Sequence, residues 1–245
     1  RYINLNLSIK NSTKILLSSK TVQKDLKKLN FYGYKKSKVL RPFFYINTKK
    51  NFISIKKLRS KYDFEKNYFF LPNQYWVHKN HILILKALKK IKKKYNKELL
   101  VISSGIFYDY RHPDHARSIK EYICKNDLKI NYKILGVIPF QDLISLMHYS
   151  IAIINPSKSE GWSSTVEQSK SLGKMTLLSD IKVHKEQNPY RSFFFNTYSI
   201  NKLSQKMIEL ERNFNLKKEI KIMKSQTKLN LIKAKKFATD FQNIV

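Results

Sequence analysis

Short apolar runs alternate along this chain with longer stretches in which apolar residues return every three or four positions. Tyr68 to Leu71, Leu99 to Ile102, Tyr132 to Leu135, Ile151 to Asn155 and Met175 to Leu178 are the short runs. Runs of this length without polar alternation predict parallel strands covered on both faces. The stretch from His78 to Tyr95 sets Ile84, Leu85, Leu88 and Ile91 on one face against lysines on the other, and so predicts a helix. Further helices are expected over Pro113 to Lys125, Gln141 to His148, Thr165 to Leu172 and Ile200 to Glu211. The resulting order of five β-α pairs predicts an α/β fold, a Rossmann-like parallel sheet spanning residues 64–213.

Two flanks fall outside that unit. Residues 1–45 hold a strand-like Ile15 to Leu17, a capped helix from Ser19 to Leu29 and a second strand around Val39 to Phe44. They read as the remnant of a second Rossmann-like domain, the C-terminal part of an N-terminal domain. Residues 46–63 are polar and basic, as a linker would be. In residues 214–245, Ile220, Met223, Thr227, Leu231, Ala234, Ala238 and Phe241 step by three and four, predicting one long helix from about Leu216 to Phe241. It is expected to pack back toward the N-terminal domain, with Ile220, Met223, Leu231 and Phe241 partly exposed.

Composition narrows the class. At 245 residues and 42% hydrophobic content the chain can bury a full core. No run of eighteen apolar residues occurs, and Arg1 opens the chain without a signal-like segment. The expectation is a soluble, cytoplasmic chain whose start is missing. A single cysteine, Cys124, excludes a disulfide framework within the chain. The net charge of +32 invites a nucleic-acid reading, but 42 of the 49 basic residues are lysines and only seven are arginines. Sites that grip phosphates favour arginine's rigid fork, and the excess is spread along the whole chain. It reads as a solvated lysine surface with no nucleic-acid partner, weakly attracted to an anionic membrane face such as the inner leaflet.

In an open parallel sheet, ligands bind beyond the carboxyl ends of the strands. Lys79 follows the first strand of the unit at the mouth of a helix, whose free N–H groups favour an anion. After the fourth strand, Glu160 stands on the Gly161 turn, and Ser163, Ser164 and Thr165 open another helix. Two helix mouths then face one cleft, with a carboxylate to hold sugar hydroxyls and with Trp76 and Trp162 as walls. His78 with His81, and His112 with His115, are spaced three apart, but no cysteine or acidic cluster accompanies them and no Asp-x-Asp motif occurs. No metal and no resident cofactor are expected. The absence of Gly-x-Gly-x-x-Gly and Walker patterns argues against dinucleotide oxidoreductases and kinases.

The stretch from Pro156 to Gly173 resembles the P-S-x-x-E-G-F-G-x-x-x-x-E-A-x-A-x-G signature of the retaining glycosyltransferases of family 4, also called glycosyltransferase group 1. The resemblance covers about residues 14–245 and implies the GT-B architecture, with this chain supplying the donor-binding domain. It implies that Glu160, Gly161 and Trp162 meet the donor sugar. The position eight residues after Glu160, which holds the ribose in the family, is here Gln168, with Glu167 one residue too early. The family's diphosphate-binding Arg and Lys fall on Gln74 and Lys79, so one cation of the pair is replaced. Gly136 and Val137 match the pair whose backbone approaches the nucleobase, and Ser163, Ser164 and Thr165 are implied at the diphosphate.

The implied function is a retaining transfer of sugar from a nucleotide-diphosphate sugar to a glycan, lipid-linked or related hydroxyl acceptor, in polysaccharide biosynthesis. Glu160 and Lys79 are its catalytic candidates. Two competing readings stand beside it: a non-catalytic basic α/β module that binds RNA or an anionic membrane, and a pseudoenzyme, suggested by Gln74 and Gln168.

Overall fold

The computed structural model describes residues 2–47, 52–228 and 230–244. The chain opens with helix α1 (Tyr2–Asn11), strand β1 (Ile15–Leu17), helix α2 (Lys20–Leu29), the short α3 (Phe31–Lys35) and strand β2 (Ser37–Val39). Ser19 starts α2 by accepting the N–H of Val22 on its hydroxyl. β1 and β2 pair in parallel as a two-stranded sheet, so a crossover through α2 and α3 joins them. Two of these elements, α1 and α3, are not legible as periodic patterns. The second strand ends at Val39, short of the expected Phe44.

A helix, α4 (Ile55–Tyr62), occupies the second half of the segment read as a linker. Residues 48–51 of that segment lie outside the described residues. Leu58 of α4 is fully buried, and Lys61 and Tyr62 both donate to Asp142, Lys61 at 2.5 Å. With lysines at positions 56, 57 and 61, the helix has a polar composition that hides its single apolar contact line.

The main sheet then builds from β3 (Tyr68–Pro72), α5 (His81–Tyr95), β4 (Leu100–Ser104), α6 (His115–Lys125), β5 (Tyr132–Ile134), α7 (Phe140–Tyr149), β6 (Ile153–Asn155), α8 (Ser164–Leu172), β7 (Thr176–Ser179), α9 (Lys182–Gln187), β8 (Ser192–Phe195) and α10 (Ile200–Arg212). All six strands are parallel, in the order β5-β4-β3-β6-β7-β8. The expected α/β sheet is therefore present, with a sixth strand, β8, and a crossover helix leading to it, α9, that the pattern did not show. β8 carries three phenylalanines but lies at the sheet edge, where only Phe195 is fully buried. α9 is six residues long and mostly polar.

Both faces of the sheet are covered. Along β3, Phe69 and Leu71 enter one apolar cluster with α5 and α10, while Tyr68 and Phe70 enter the other with α4 and α7. The two-residue period of a strand thus feeds two cores, which is why these runs carry no polar alternation.

The C-terminal part is two helices and not the single long one expected. α11 (Leu216–Thr227) is followed by α12 (Asn230–Gln242). Asn230 is buried, and its amide donates to the Ser171 carbonyl at 2.6 Å, anchoring the start of α12 on the end of α8. On α11, Glu219 accepts both terminal nitrogens of Arg191 at 2.9 Å and lies 3.3 Å from the buried Lys174 ammonium. Burial pulls the Lys174 amine down to about 8, and Glu219 offsets part of that fall. Met223, expected to be partly exposed, is buried against the second cluster, whereas Leu231 and Phe241 are exposed.

Candidate active site

The sheet order places β3 and β6 at the switch point, where successive crossovers leave in opposite directions and a crevice opens beyond the strand ends. Buried side chains line the seam. Asn73 donates to the Asn155 amide oxygen at 3.1 Å, and Asn155 in turn donates to Ser163 at 2.8 Å. The Thr165 hydroxyl has the Pro72 carbonyl at 3.1 Å and the Asn73 side-chain oxygen at 3.2 Å, which locks the start of α8 to the end of β3. The glycine after β4 is required here. Gly105 has φ +139°, and a Cβ on it would sit 2.6 Å from the Asn73 carbonyl oxygen.

A cavity of about 430 Å³ occupies the crevice. Gln74, Trp76 and Lys79 line it from the β3 side, and Glu160, Trp162, Ser163, Ser164 and Thr165 from the β6 side. Val137, expected at the nucleobase, lines it too, together with Ser104, Ile106, Ile138 and Leu143, four residues that no motif in the sequence announced. Gly136, Gly161 and Gln168 do not line this space. Gly136 accepts the Gly105 N–H at 2.8 Å and supports the wall through Val137, Gly161 accepts the Ser18 hydroxyl at 3.3 Å, and Gln168 is half-buried farther along α8.

Among the described residues Lys79 and Glu160 are the only charged side chains on the cavity wall, and they are paired, Nζ to Oε1 at 2.6 Å, with side-chain exposures of 12% and 7%. Lys79 ends a single 3-10 turn, Val77–Lys79, ahead of α5. The α8 mouth is the second electropositive feature: the Ser163 hydroxyl caps the Val166 N–H at 3.4 Å, and the Ser164 hydroxyl is exposed at the wall. Gln74 takes a structural part, accepting the Ile106 N–H on its amide oxygen at 2.7 Å.

A buried polar chain holds this β3 loop in place. His81 is fully buried between Gln74 and Tyr132 and stacks on Tyr75 with ring centres 4.0 Å apart. The Gln74 carbonyl, 3.1 Å from Nε2, can only accept, so Nε2 carries the proton and Nδ1 accepts from the Tyr132 hydroxyl at 2.7 Å. Burial holds the His81 imidazole down at about 3, against the pull of the Gln74 carbonyl. His81 is thus a neutral structural group. Among the described residues no group of three or more His, Cys, Asp or Glu side chains is placed to hold a metal ion.

Glu167 faces away from the cavity but is not idle. It is buried, and its Oε1 accepts from Gln187 at 3.0 Å and Lys170 at 2.9 Å. Glu186 joins the two parts of the chain: it accepts the N–H groups of Lys20 and Thr21 at 2.7 and 3.0 Å, the Thr21 hydroxyl at 3.0 Å and the Arg41 guanidinium at 3.0 Å. These donors hold its carboxyl below the usual range although burial opposes them.

Residues 54–227 match the family model of glycosyl transferases group 1. The chain belongs to that family. No protein of curated function matches it by sequence. Its fold is shared with a glycosyltransferase from Rickettsia africae, at 20% identity and TM-score 0.70 over 98% of this chain and 66% of that one. It is shared also with Anabaena HepE in complex with UDP-glucose, at 14% identity and TM-score 0.74 over 98% and 66%. Sucrose-phosphate synthase from Thermosynechococcus elongatus aligns at 11% identity and TM-score 0.69 over 99% and 62%. These are GT-B glycosyltransferases, and the chain spans about two thirds of their length.

Proposed function

We propose that this chain is the donor-binding part of a retaining glycosyltransferase that moves a sugar from a nucleotide-diphosphate sugar to a glycan or related hydroxyl acceptor. The observation that carries the reading is the half-buried Lys79–Glu160 pair, which shares one cavity with the α8 mouth. A departing nucleoside diphosphate accumulates charge at the oxygen it takes from the sugar. Lys79 and the α8 N–H groups stabilise that charge, a contribution of roughly 3 kcal/mol per well-placed donor. Glu160, released from Lys79 as the ammonium turns to the diphosphate, accepts hydroxyls of the sugar ring and fixes it for attack. Val137 and Ile138 offer an apolar wall for the nucleobase, and Gln168, outside the cavity as it stands, reaches the ribose only after a shift of α8. HepE is described in complex with UDP-glucose, which supports a nucleotide sugar as the donor class. The chemistry takes place in the cytoplasm, where such donors are made, with the lysine-rich surface loosely drawn to the anionic inner leaflet. No helix among the described residues is long and apolar enough to cross a membrane.

The test is a calorimetric titration of a panel of nucleoside diphosphates into the chain and into its Lys79→Ala variant. At least one is expected to bind saturably and to weaken about tenfold in the variant. A chain indifferent to every member of the panel would sink the reading. The retaining outcome is read separately, from the anomeric configuration of the product made by the full-length enzyme.

A further inference from the structure

Trp162 belongs to two cavities. Besides closing the donor cavity it lines a larger one, about 650 Å³, that runs between α8, α12 and the segment after β2. The far end of this second cavity meets a third, of about 210 Å³, through two shared lysines, Lys170 and Lys233. The three spaces therefore follow one another along α8, a nine-residue helix about 13 Å long, beginning at the donor cavity.

The walls of this groove have a definite chemistry. Phe43 and Phe237 join Trp162 as aromatic surface, and Pro42 and Val39 add aliphatic area. Cations outnumber acids on the lining: Arg41, Lys170, Lys233 and Lys236 against Glu167 and Asp240 in the larger cavity, and Lys174 with Arg191 in the smaller. Most of these charges are already matched. Arg41 pairs with Glu186, Lys170 with Glu167, Lys236 with Asp240, and Lys174 and Arg191 share Glu219. Lys233, at the junction of the two cavities, is exposed and has no acidic partner among the described residues. An uncompensated ammonium at the junction of two cavities, one of them aromatic-walled, fits a ligand with flat apolar faces and one negative group.

We infer that the groove along α8 binds an acidic saccharide, with its sugar rings on Phe43, Phe237 and Trp162 and its carboxylate, phosphate or sulfate on Lys233. This rests on the reading of the adjoining cavity as a donor site, since it makes the saccharide an acceptor that enters the reaction past Trp162. A bound acceptor would then extend from the sugar-transfer point along the helix, so specificity would depend on acidic substituents near Lys233.

The experiment titrates trigalacturonate, neutral maltotriose and a single-stranded oligoribonucleotide into the chain at two salt concentrations, beside a nucleoside diphosphate. Variants Lys233→Glu and Phe237→Ala are compared with Lys202→Glu, an exposed lysine on α10 outside the groove, and thermal melts confirm that each is folded. Trigalacturonate is expected to bind saturably, at least tenfold more tightly than maltotriose, and to lose at least tenfold in the two groove variants but not in Lys202→Glu. A phosphorylated maltotriose read alongside separates phosphate from carboxylate as the preferred group. Nucleoside diphosphate affinity is expected to stay unchanged in all three variants, and its failure would count against the donor reading alone. Absence of saturable trigalacturonate binding, equal weakening by Lys202→Glu, or tighter and groove-dependent binding of the oligoribonucleotide would each overturn the inference.

Discussion

Lys79 and Glu160 are 81 residues apart in sequence and meet at 2.6 Å across the β3/β6 crevice. The two charges satisfy each other across the crevice, so in the proposed donor site a diphosphate competes with Glu160 for the ammonium. Because negative charge on the diphosphate is greatest as it leaves, the competition is won most fully in the transition state. Lys79→Ala in the full-length enzyme is therefore expected to lower kcat on the order of a hundredfold, with a smaller change in donor KM. Steady-state kinetics with varied donor checks this, and unchanged kcat would remove Lys79 from the leaving-group role.

Glu160→Gln and Glu167→Gln should separate chemistry from stability. Glu160 lines the cavity proposed for the donor, so its amide is expected to depress turnover strongly. Glu167 holds Gln187 and Lys170 behind α8, so its amide weakens the fold by about 1 kcal/mol with turnover nearly intact. Denaturant unfolding read beside activity decides the matter. Loss of turnover in Glu167→Gln without loss of stability would assign the donor carboxylate to the wrong residue.

Gly105→Ala places a methyl group 2.6 Å from the Asn73 carbonyl oxygen at a backbone angle of +139°. The chain must move the β3 loop or leave that angle, at a cost of about 2 kcal/mol or more. The expected outcome is a lower midpoint of unfolding together with weaker nucleoside diphosphate binding, since Gln74 and Trp76 follow Asn73 on the cavity wall. A variant with wild-type stability would show that the turn is relaxed.

Acid should destabilise the fold in two stages. Burial lowers His81 to about 3 and His148 to about 4, both well under the usual value near 6.5. The unfolded chain then binds more protons than the folded one below pH 6.5, so stability is full above that value and falls as pH drops toward 3 to 4. Glu186 and Glu219 are held below the ordinary carboxyl value of 4.5. Their contribution is present above 4.5 and is lost as pH falls through their folded values. Unfolding at pH 5.5 is expected to take up about two protons from His81 and His148 together. Calorimetry in buffers of different ionisation enthalpy measures the uptake, and a value near zero would mean that these histidines are charged in the fold.

The apolar runs determined most of the sheet by themselves. Strands buried on both faces have no polar alternation, and β3, β4 and β6 carry that signal in full. The Gly-turn-helix signature around Glu160 and the lysine at a helix mouth likewise lay open in the chain, because local backbone chemistry requires those residue types in that order. Tertiary structure decided the rest. β8 is a half-buried edge strand, α9 is short and polar, and α4 buries little more than Leu58, so none carries enough periodicity to stand out alone. The break between α11 and α12 depends on Asn230 finding the Ser171 carbonyl, a contact over 59 residues that no local period records. The pairing of Lys79 with Glu160 follows from the adjacency of β3 and β6, and the place of Glu186 on the first turn of α2 from the packing of α9 against α2. A sequence lists charges but does not say which of them the sheet brings within 3 Å, and it is that distance which sets whether a lysine is free for a ligand or already held.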